Sequence, residues 1–418
     1  MGSYAFVSDK LYITFKSLRH KDFRYFWLGQ CVSLIGTWMQ RSAQVWLVYT
    51  LTNSPLLLGL LGVFQFLPIL LFSLFAGVVV DHLPKKTIIC FTQIGFMLQS
   101  LILGYIVWAG LVKYWHVLML AIIYGSLHSL DAPARQSWFI EMVGKEDLPN
   151  AISLNATIVT MGKIIGPVIA GLVIVNYGIA SCFFFNGLSY VAVLTGLFLI
   201  KTLGLPKTHL EKNMLFEVKE GITHILQSEI LRTTLLIMAI YCTLAVNVAV
   251  IIPVFSDTVL RRGVDGYTSL LAATGIGAFI GAIYMAQNKL VHIRTLLNDA
   301  FITSFLLIAA AFTTYYPLNW LLMVLVGFFN LSFINRANAN LQLNTNDSYR
   351  GRIMSIFHLI NQGSTPLGYA ITGAAMEYGG AVMGFIFSGL STLFLITLLI
   401  FYTPRLKGYL VIQRFDKK

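Results

Sequence analysis

An all-α membrane protein of twelve transmembrane helices in two six-helix bundles, with both termini cytoplasmic, is the fold class this sequence predicts. Three observations carry that prediction. Apolar residues make up 57% of the 418-residue chain and charged residues only 11%, against about 25% charged in an average soluble domain. The apolar residues gather into long segments, each close to the roughly 20 residues needed to cross a hydrocarbon layer of ~30 Å as helix. The cations fall into alternate gaps between those segments.

The segments run Phe26–Thr50, Pro55–Val80, Thr87–Ala109, Trp115–Ala134, Ala151–Asn176 and Ala180–Ile200 in the first half. In the second half they run Leu231–Phe255, Thr268–Ala286, Thr295–Thr314, Leu318–Ala339, Ile353–Met376 and Ala381–Tyr402. The longest polar stretch separates them, so the domains read as residues 1–201, a cytoplasmic linker at 202–230, and 231–418. Within the linker Met214, Val218, Ile222 and Ile225 recur at helical spacing, with Glu211, Lys212, Glu217, Lys219 and Glu220 on other faces. That pattern predicts an amphipathic helix on the membrane surface.

With the N-terminus inside, only Lys113, Arg261 and Arg262 fall in outer loops and only Arg41, Lys163 and Arg336 well within spans, leaving 23 of the 29 Lys and Arg on the cytoplasmic side, Arg232 at the inner edge of its span among them. The positive-inside rule selects this orientation. The net charge of +12 therefore calls for no nucleic acid, whose partners cluster their cations on one face. The basic start of the chain continues into a full-length span, unlike a removable leader. Cys31, Cys90, Cys182 and Cys242 all lie in spans, without CxxC spacing or a neighbouring His, and read as small packing residues; no metal or cofactor is expected.

The halves repeat weakly. Gly77 precedes Lys85 by eight positions in the loop after span two, and Gly281 precedes Lys289 by eight in the loop after span eight, although Met285 stands where Asp81 would recur. Duplicated halves of parallel topology would give this pattern.

There is no HExxH, GxSxG or GxxxxGK[ST], and no pair of acids deep in a span. The expectation is translocation of a small-molecule substrate and not an enzyme. A cation near mid-bilayer costs roughly 2.5–3.5 kcal/mol, so Arg41 and Lys163 need a reason. Thr37, Arg41 and Gln44 share one face of span one, with Gln40 beside it, and Lys163 shares a face with Thr160 and Pro167 in span five. These residues either line a cationic, hydrogen-bonding cavity for an anion or pair with backbone groups and lock helices together. Trp38 is the one tryptophan deep enough for a stacking role. Asn247 and Asn330 sit mid-span and offer either substrate contacts or inter-helix hydrogen bonds. Arg336 lies toward the cytoplasm among Asn335, Asn338 and Asn340, which predicts snorkelling to water. Asp131, Asp257, Asp299 and Glu377 fall near span ends, so no buried carboxylate proton carrier is expected. His128, on a face with Asp131 and Arg135, offers a coupling group that titrates near neutral pH or a packing residue. Gly162, Gly166 and Gly171 permit close helix approach beside Pro167.

Gly77, Asp81, Lys85 and Lys86, in the loop after span two of a twelve-span chain, resemble the major facilitator signature G-x-x-x-D-R-x-G-R-K, with His82 for its Arg and Pro84 for its second Gly. Further segments resemble the transmembrane secretion effector branch, which includes enterobactin-exporter-like and macrolide-efflux-like proteins. These are Phe23-Arg24 to Gly29-Gln30, Gly36-Thr37-Trp38-Met39-Gln40, Trp46 to Tyr49, Asp131 to Gln136, Asn150-Ala151 with Asn155, Gly166-Pro167, and Arg350 to Arg352 with Met354-Ser355. The resemblance implies alternating access of two bundles around a cavity lined by spans one, four, seven and ten. It implies a cytoplasmic latch of Asp81 with Arg135 and the span-eleven start near Arg350. Gly166-Pro167 resembles the antiporter motif of efflux members, although Ser153 replaces its leading Gly. The expectation is a monomeric bacterial inner-membrane exporter of a small polar or anionic, siderophore-like metabolite, coupled to protons, with a multidrug or macrolide efflux pump as the alternative.

Overall fold

The computed structural model describes residues 15–205, 223–287 and 292–403, and among them every regular element is a helix. In chain order these are α1 (Lys21–Thr52), α2 (Pro55–His82), α3 (Lys85–Trp108), α4 (Tyr114–Tyr177), α5 (Ile179–Leu199), α6 (Glu229–Leu244), α7 (Val248–Thr258), α8 (Gly263–Gln287), α9 (Ile293–Ala311), α10 (Tyr316–Leu343) and α11 (Asp347–Tyr402). Nine membrane-length apolar helical stretches occur among the described residues, α6 and α7 forming one of them. The amphipathic helix expected across the linker lies outside the described residues, except Ile225 in a helical turn at 223–227. Lys289 is outside them too.

Two features differ from the sequence expectation. The gap expected between Ala134 and Ala151 is helical, and α4 runs through it with a single break at Gly144, whose φ is +74°. The segment carries no breaker before that glycine, and Trp138, Phe139, Met142 and Val143 are buried with Phe23, Phe26, Ile88 and Leu197. Burial of that apolar face keeps the helix going. α11 likewise breaks only at Gly380, with φ +69°. Conversely, the single span expected from Leu231 to Phe255 is divided at residues 245–247 into α6 and α7.

The chain divides into two compact units, residues 1–47 with 67–210, and residues 48–66 with 211–418. In the first, α1 lies close against the second part of α4. A Cβ on Gly166 would stand 2.5 Å from Trp38 Cβ and 2.9 Å from Met39 N, and one on Gly162 would stand 2.7 Å from Trp38 Cδ1. Without hydrophobic drive between lipid-solvated helices, such small residues set how closely backbones approach.

The cytoplasmic end of this unit, as the cation pattern orients it, is closed by the segment after α5. Lys85 N–H donates to the Gly204 carbonyl at 2.9 Å, and the side chains of Lys85 and Lys86 donate to the carbonyls of Leu205 and Ile200. Thr202 donates twice to Asp22. In the second unit α8 and α10 pack so closely that a Cβ on Gly277 would meet the Val324 carbonyl at 1.8 Å. The start of α2 belongs to this unit. There Glu377 accepts from Ser54 Oγ at 2.8 Å and Leu56 N at 3.1 Å, capping that helix.

Candidate substrate and coupling site

In the first unit the polar face of α1 divides into two environments. Gln40 is 4% exposed and its amide is fully engaged. Its Nε2 donates to Gln99 Oε1 at 3.1 Å, while its Oε1 accepts from Asn186 Nδ2 at 2.7 Å and from Ser100 Oγ. This network ties α1 to α3 and α5. Gln44 is buried as well, with Nε2 unpartnered. Thr37 Oγ1 lies 3.2 Å from Tyr190 Oη.

One turn along, Arg41 enters an aromatic frame. Its guanidinium carbon is 4.8 Å from the Trp38 ring centroid and 5.7 Å from that of Tyr124, and Nη2 reaches Tyr124 Oη at 3.5 Å. Lys163 Nζ, from α4, lies 5.3 Å from the same Trp38 ring. Cation–ring contacts of this kind contribute about 0.5–1 kcal/mol when wet and about 2 or more when desolvated. Neither cation has an ion-pair partner among the described residues. The Nε of Arg41 and the Nδ1 of His128 are buried without partners, and the His128 ring stacks 5.9 Å from Tyr124. Gly162 and Gly166 bring Trp38 up to α4 and so place both cations on one indole.

The other expected site residues are distributed more widely. Asp131 is 3% exposed and fully satisfied, accepting from Thr92 Oγ1 at 2.8 Å, Gln93 Nε2 at 2.9 Å and Arg135, whose other nitrogen donates to Gln30. Lys85 and Lys86 hold the segment after α5, and buried Lys85 stands 3.5 Å from Glu141. Gly166 and Pro167 are buried in the contact with α1. Arg350 is exposed at the start of α11. Of the latch, the Asp81 side chain lies outside the described residues, as do the surroundings of Gly77.

In the second unit Asn247 is fully buried in the break before α7. Its Nδ2 donates to the Thr243 carbonyl at 2.8 Å, the Leu244 carbonyl at 3.2 Å and Thr372 Oγ1 at 2.9 Å. It satisfies carbonyls that the break releases, as any unwound backbone within a membrane requires. Asn330 keeps an unpartnered Oδ1 on α10. Further along, Asn335, Asn338 and Gln342 line a shallow groove of about 350 Å³.

Two expectations are corrected. Arg336 does not snorkel to water: its side chain is 11% exposed and pairs with the Asp299 side chain of α9, which is 3% exposed. Carboxylates are buried within helices after all, Asp131 at 3% and Asp299 at 2%. The apolar segments put both near span ends, whereas α4 continues well past Asp131 and α9 begins six residues before Asp299. The pair Asp299–Arg336 joins separate helices, and no local spacing announces it. Nothing in the sequence marks Tyr124 as a site residue, and Tyr190 reads there as an interfacial or packing aromatic. Their positions facing α1 follow only from how α4 and α5 pack.

Outside the spans one carboxylate organises the N-terminal segment. Asp147, just past the Gly144 break, receives Lys16, Arg19 and His20, each at 2.8 Å. Hydrogen bonds from Lys16 and His20, with the charges of Arg19 and Lys16, hold its carboxyl well below the ordinary carboxylate range. At Asp22 burial opposes the charge, yet the Thr202 hydroxyl and amide outweigh it and leave the carboxyl lowered.

Comparison with known proteins agrees with this architecture. The family model described as transmembrane secretion effector matches residues 13–411. The chain is 24% identical over 391 residues to the staphyloferrin A transporter of Staphylococcus aureus, covering 92% of this chain and 97% of that one. It is 25% identical over 385 residues to the multidrug efflux pump Tap of Mycolicibacterium fortuitum, covering 87% and 90%. Among solved structures the nucleoside transporter NupG superposes with a TM-score of 0.71 at 11% identity, over 93% of this chain and 99% of that one, which speaks to the fold. The chain therefore belongs to the transmembrane secretion effector family of the major facilitator superfamily, and is a multi-pass transporter of the bacterial cytoplasmic membrane rather than an enzyme.

Proposed function

We propose that this transporter exports a small, anionic, siderophore-like metabolite by alternating access, driven by the proton gradient, and works as a monomer of twelve spans with both termini cytoplasmic. The observation that carries the reading is the pair of cations on one indole. Arg41 and Lys163 lie on the Trp38 ring at 4.8 and 5.3 Å, with no carboxylate paired to either among the described residues. Two like charges held this close repel each other, and a bound anion relieves the repulsion while satisfying the free Nε of Arg41. A planar indole beside them suits a cargo with a flat or apolar portion. The relative named for staphyloferrin A is in keeping with this class of cargo.

Mass spectrometry of spent medium from iron-starved cells with and without the gene tests the reading. A chelator lost outside and accumulated inside supports it; unchanged media overturn it. Arg41→Ala abolishes efflux at unchanged expression, and undiminished efflux in that variant removes the cationic site from the pathway. A second reading, multidrug efflux, draws on the relative Tap and on the aromatic wall of Trp38, Phe96 and Tyr124; neutral drugs would suit that wall better than cationic ones.

A further inference from the structure

The two buried acid–base pairs in the described helices are built differently. Asp131 accepts three hydrogen bonds, from Thr92 and Gln93 on Oδ1 and from Arg135 on Oδ2, and Arg135 is steadied in turn by Gln30. Among the described residues Asp299 accepts from one partner, Arg336 Nη1 on Oδ2 at 2.5 Å, and none of them donates to its Oδ1. Arg336 is underfilled too. Its Nε is buried without a partner, and its Nη1 makes one further long contact of 3.4 Å to the Thr295 carbonyl. A carboxylate saturated with donors is held in its charged form, whereas one with a vacant oxygen in a low-dielectric setting keeps room for a proton.

We propose that Asp299 is the proton-binding carboxylate of the transport cycle and Arg336 its switchable counter-ion. This rests on the reading above that a proton gradient drives export, and replaces His128 and Asp131 as coupling groups. A proton adds to Oδ1, Asp299 becomes neutral, and the guanidinium loses its ionic partner. The Thr295 carbonyl, which already takes a long contact from Nη1, offers it an acceptor.

The surroundings leave few competitors for that proton. From α10 the charge facing Asp299 is Arg336. From α6 comes the Tyr241 hydroxyl, which donates to Thr303 Oγ1, whose own hydroxyl donates to the backbone carbonyl of Asp299; α6 also carries Glu229 and Arg232 in its first turn. The second part of α11, which packs on α9 through Gly389 against Ser304 and Ile308, has no Asp, Glu, Lys, Arg or His from Ala381 to Tyr402. On α9 itself the other charge is Arg294, near the helix start. Asp299 lies six residues into α9, about 9 Å along the axis, from an end that the positive-inside pattern assigns to the cytoplasm.

Infrared pH titration of the purified full-length protein in lipid vesicles tests the assignment without any cargo. Acidification brings up a protonated-carboxyl band in the wild type that is lost in Asp299→Asn and retained in Asp131→Asn. An undiminished band in Asp299→Asn, or its loss in Asp131→Asn instead, overturns the assignment. Should Asp299→Asn fail to fold, Asp299→Glu keeps the test open: its band moves in frequency and in midpoint pH, and an unmoved band overturns the proposal. Failure of the export reading shows separately, in the spent medium.

Discussion

Replacing Gly166 by Ala adds one carbon at the tightest point between α1 and α4. That carbon would sit 2.5 Å from Trp38 Cβ and 2.9 Å from the Trp38 carbonyl carbon and Met39 N. Carbon atoms rest about 3.5–4.0 Å apart, so α1 must retreat by about 1 Å or more. Overpacking of this kind costs about 1–3 kcal/mol. For a unit of this size each kcal/mol lowers the unfolding midpoint by roughly 2–4 °C, so the expected drop is roughly 2–12 °C. The chain supplies its own reporters, because Cys182 and Cys242 are free thiols at 0% and 2% exposure, and a fluorogenic maleimide reaches them as the protein unfolds. Ser153→Ala, at an exposed position of the same helix, is the control, with a change within about 0.5 kcal/mol. The retreat also carries Trp38 away from Lys163, so transport falls along with stability. An unchanged midpoint together with unchanged Trp38 fluorescence would refute the claim that Gly166 sets the helix spacing.

Asn247→Ala strips the amide from the break between α6 and α7 and leaves the Thr243 and Leu244 carbonyls unsatisfied; a loss of about 1–3 kcal/mol is expected in the same thermal assay. Lys85→Met removes the side-chain bond to Leu205 and the contact with Glu141, so amide hydrogen exchange of residues 200–205 rises while that of the α3 interior does not. Asp147 has a lowered carboxyl in the folded state, so its stabilising effect is present above the ordinary carboxylate pKa of about 3.9 and is lost only as pH falls through the lower folded value. Protection of the Ser17 N–H, which donates to Asn150 Oδ1 at 2.9 Å, therefore stays constant from about pH 8 to about pH 5. In Asp147→Asn it is low across that whole range.

Helix identity was legible because a span must satisfy its own backbone, which forces long apolar runs that composition alone reveals. Arg41 and Lys163 were legible for the same reason, since a cation in such a run is conspicuous. Their partner Trp38 was visible only as a deep aromatic, because its contact with α4 depends on glycines in another helix. Asp299 and Arg336 are each visible in the sequence, Asp299 as an acid near a span end and Arg336 as a cation placed to reach water. A pair between helices 37 residues apart leaves no periodicity in either one. The continuation of α4 beyond Ala134 was hidden because its buried face packs on Phe23 and Phe26, a tertiary fact.

The side-chain staple at Asn247 changes what bending this span costs. In an ordinary helix a bend opens backbone hydrogen bonds that lipid cannot replace. Here the bonds at the break are already surrendered, and a rotatable amide holds the two freed carbonyls at 2.8 and 3.2 Å. A bend at residues 245–247 therefore opens no further backbone hydrogen bond, and what resists it is the packing of α7, whose residues 250–256 are all buried.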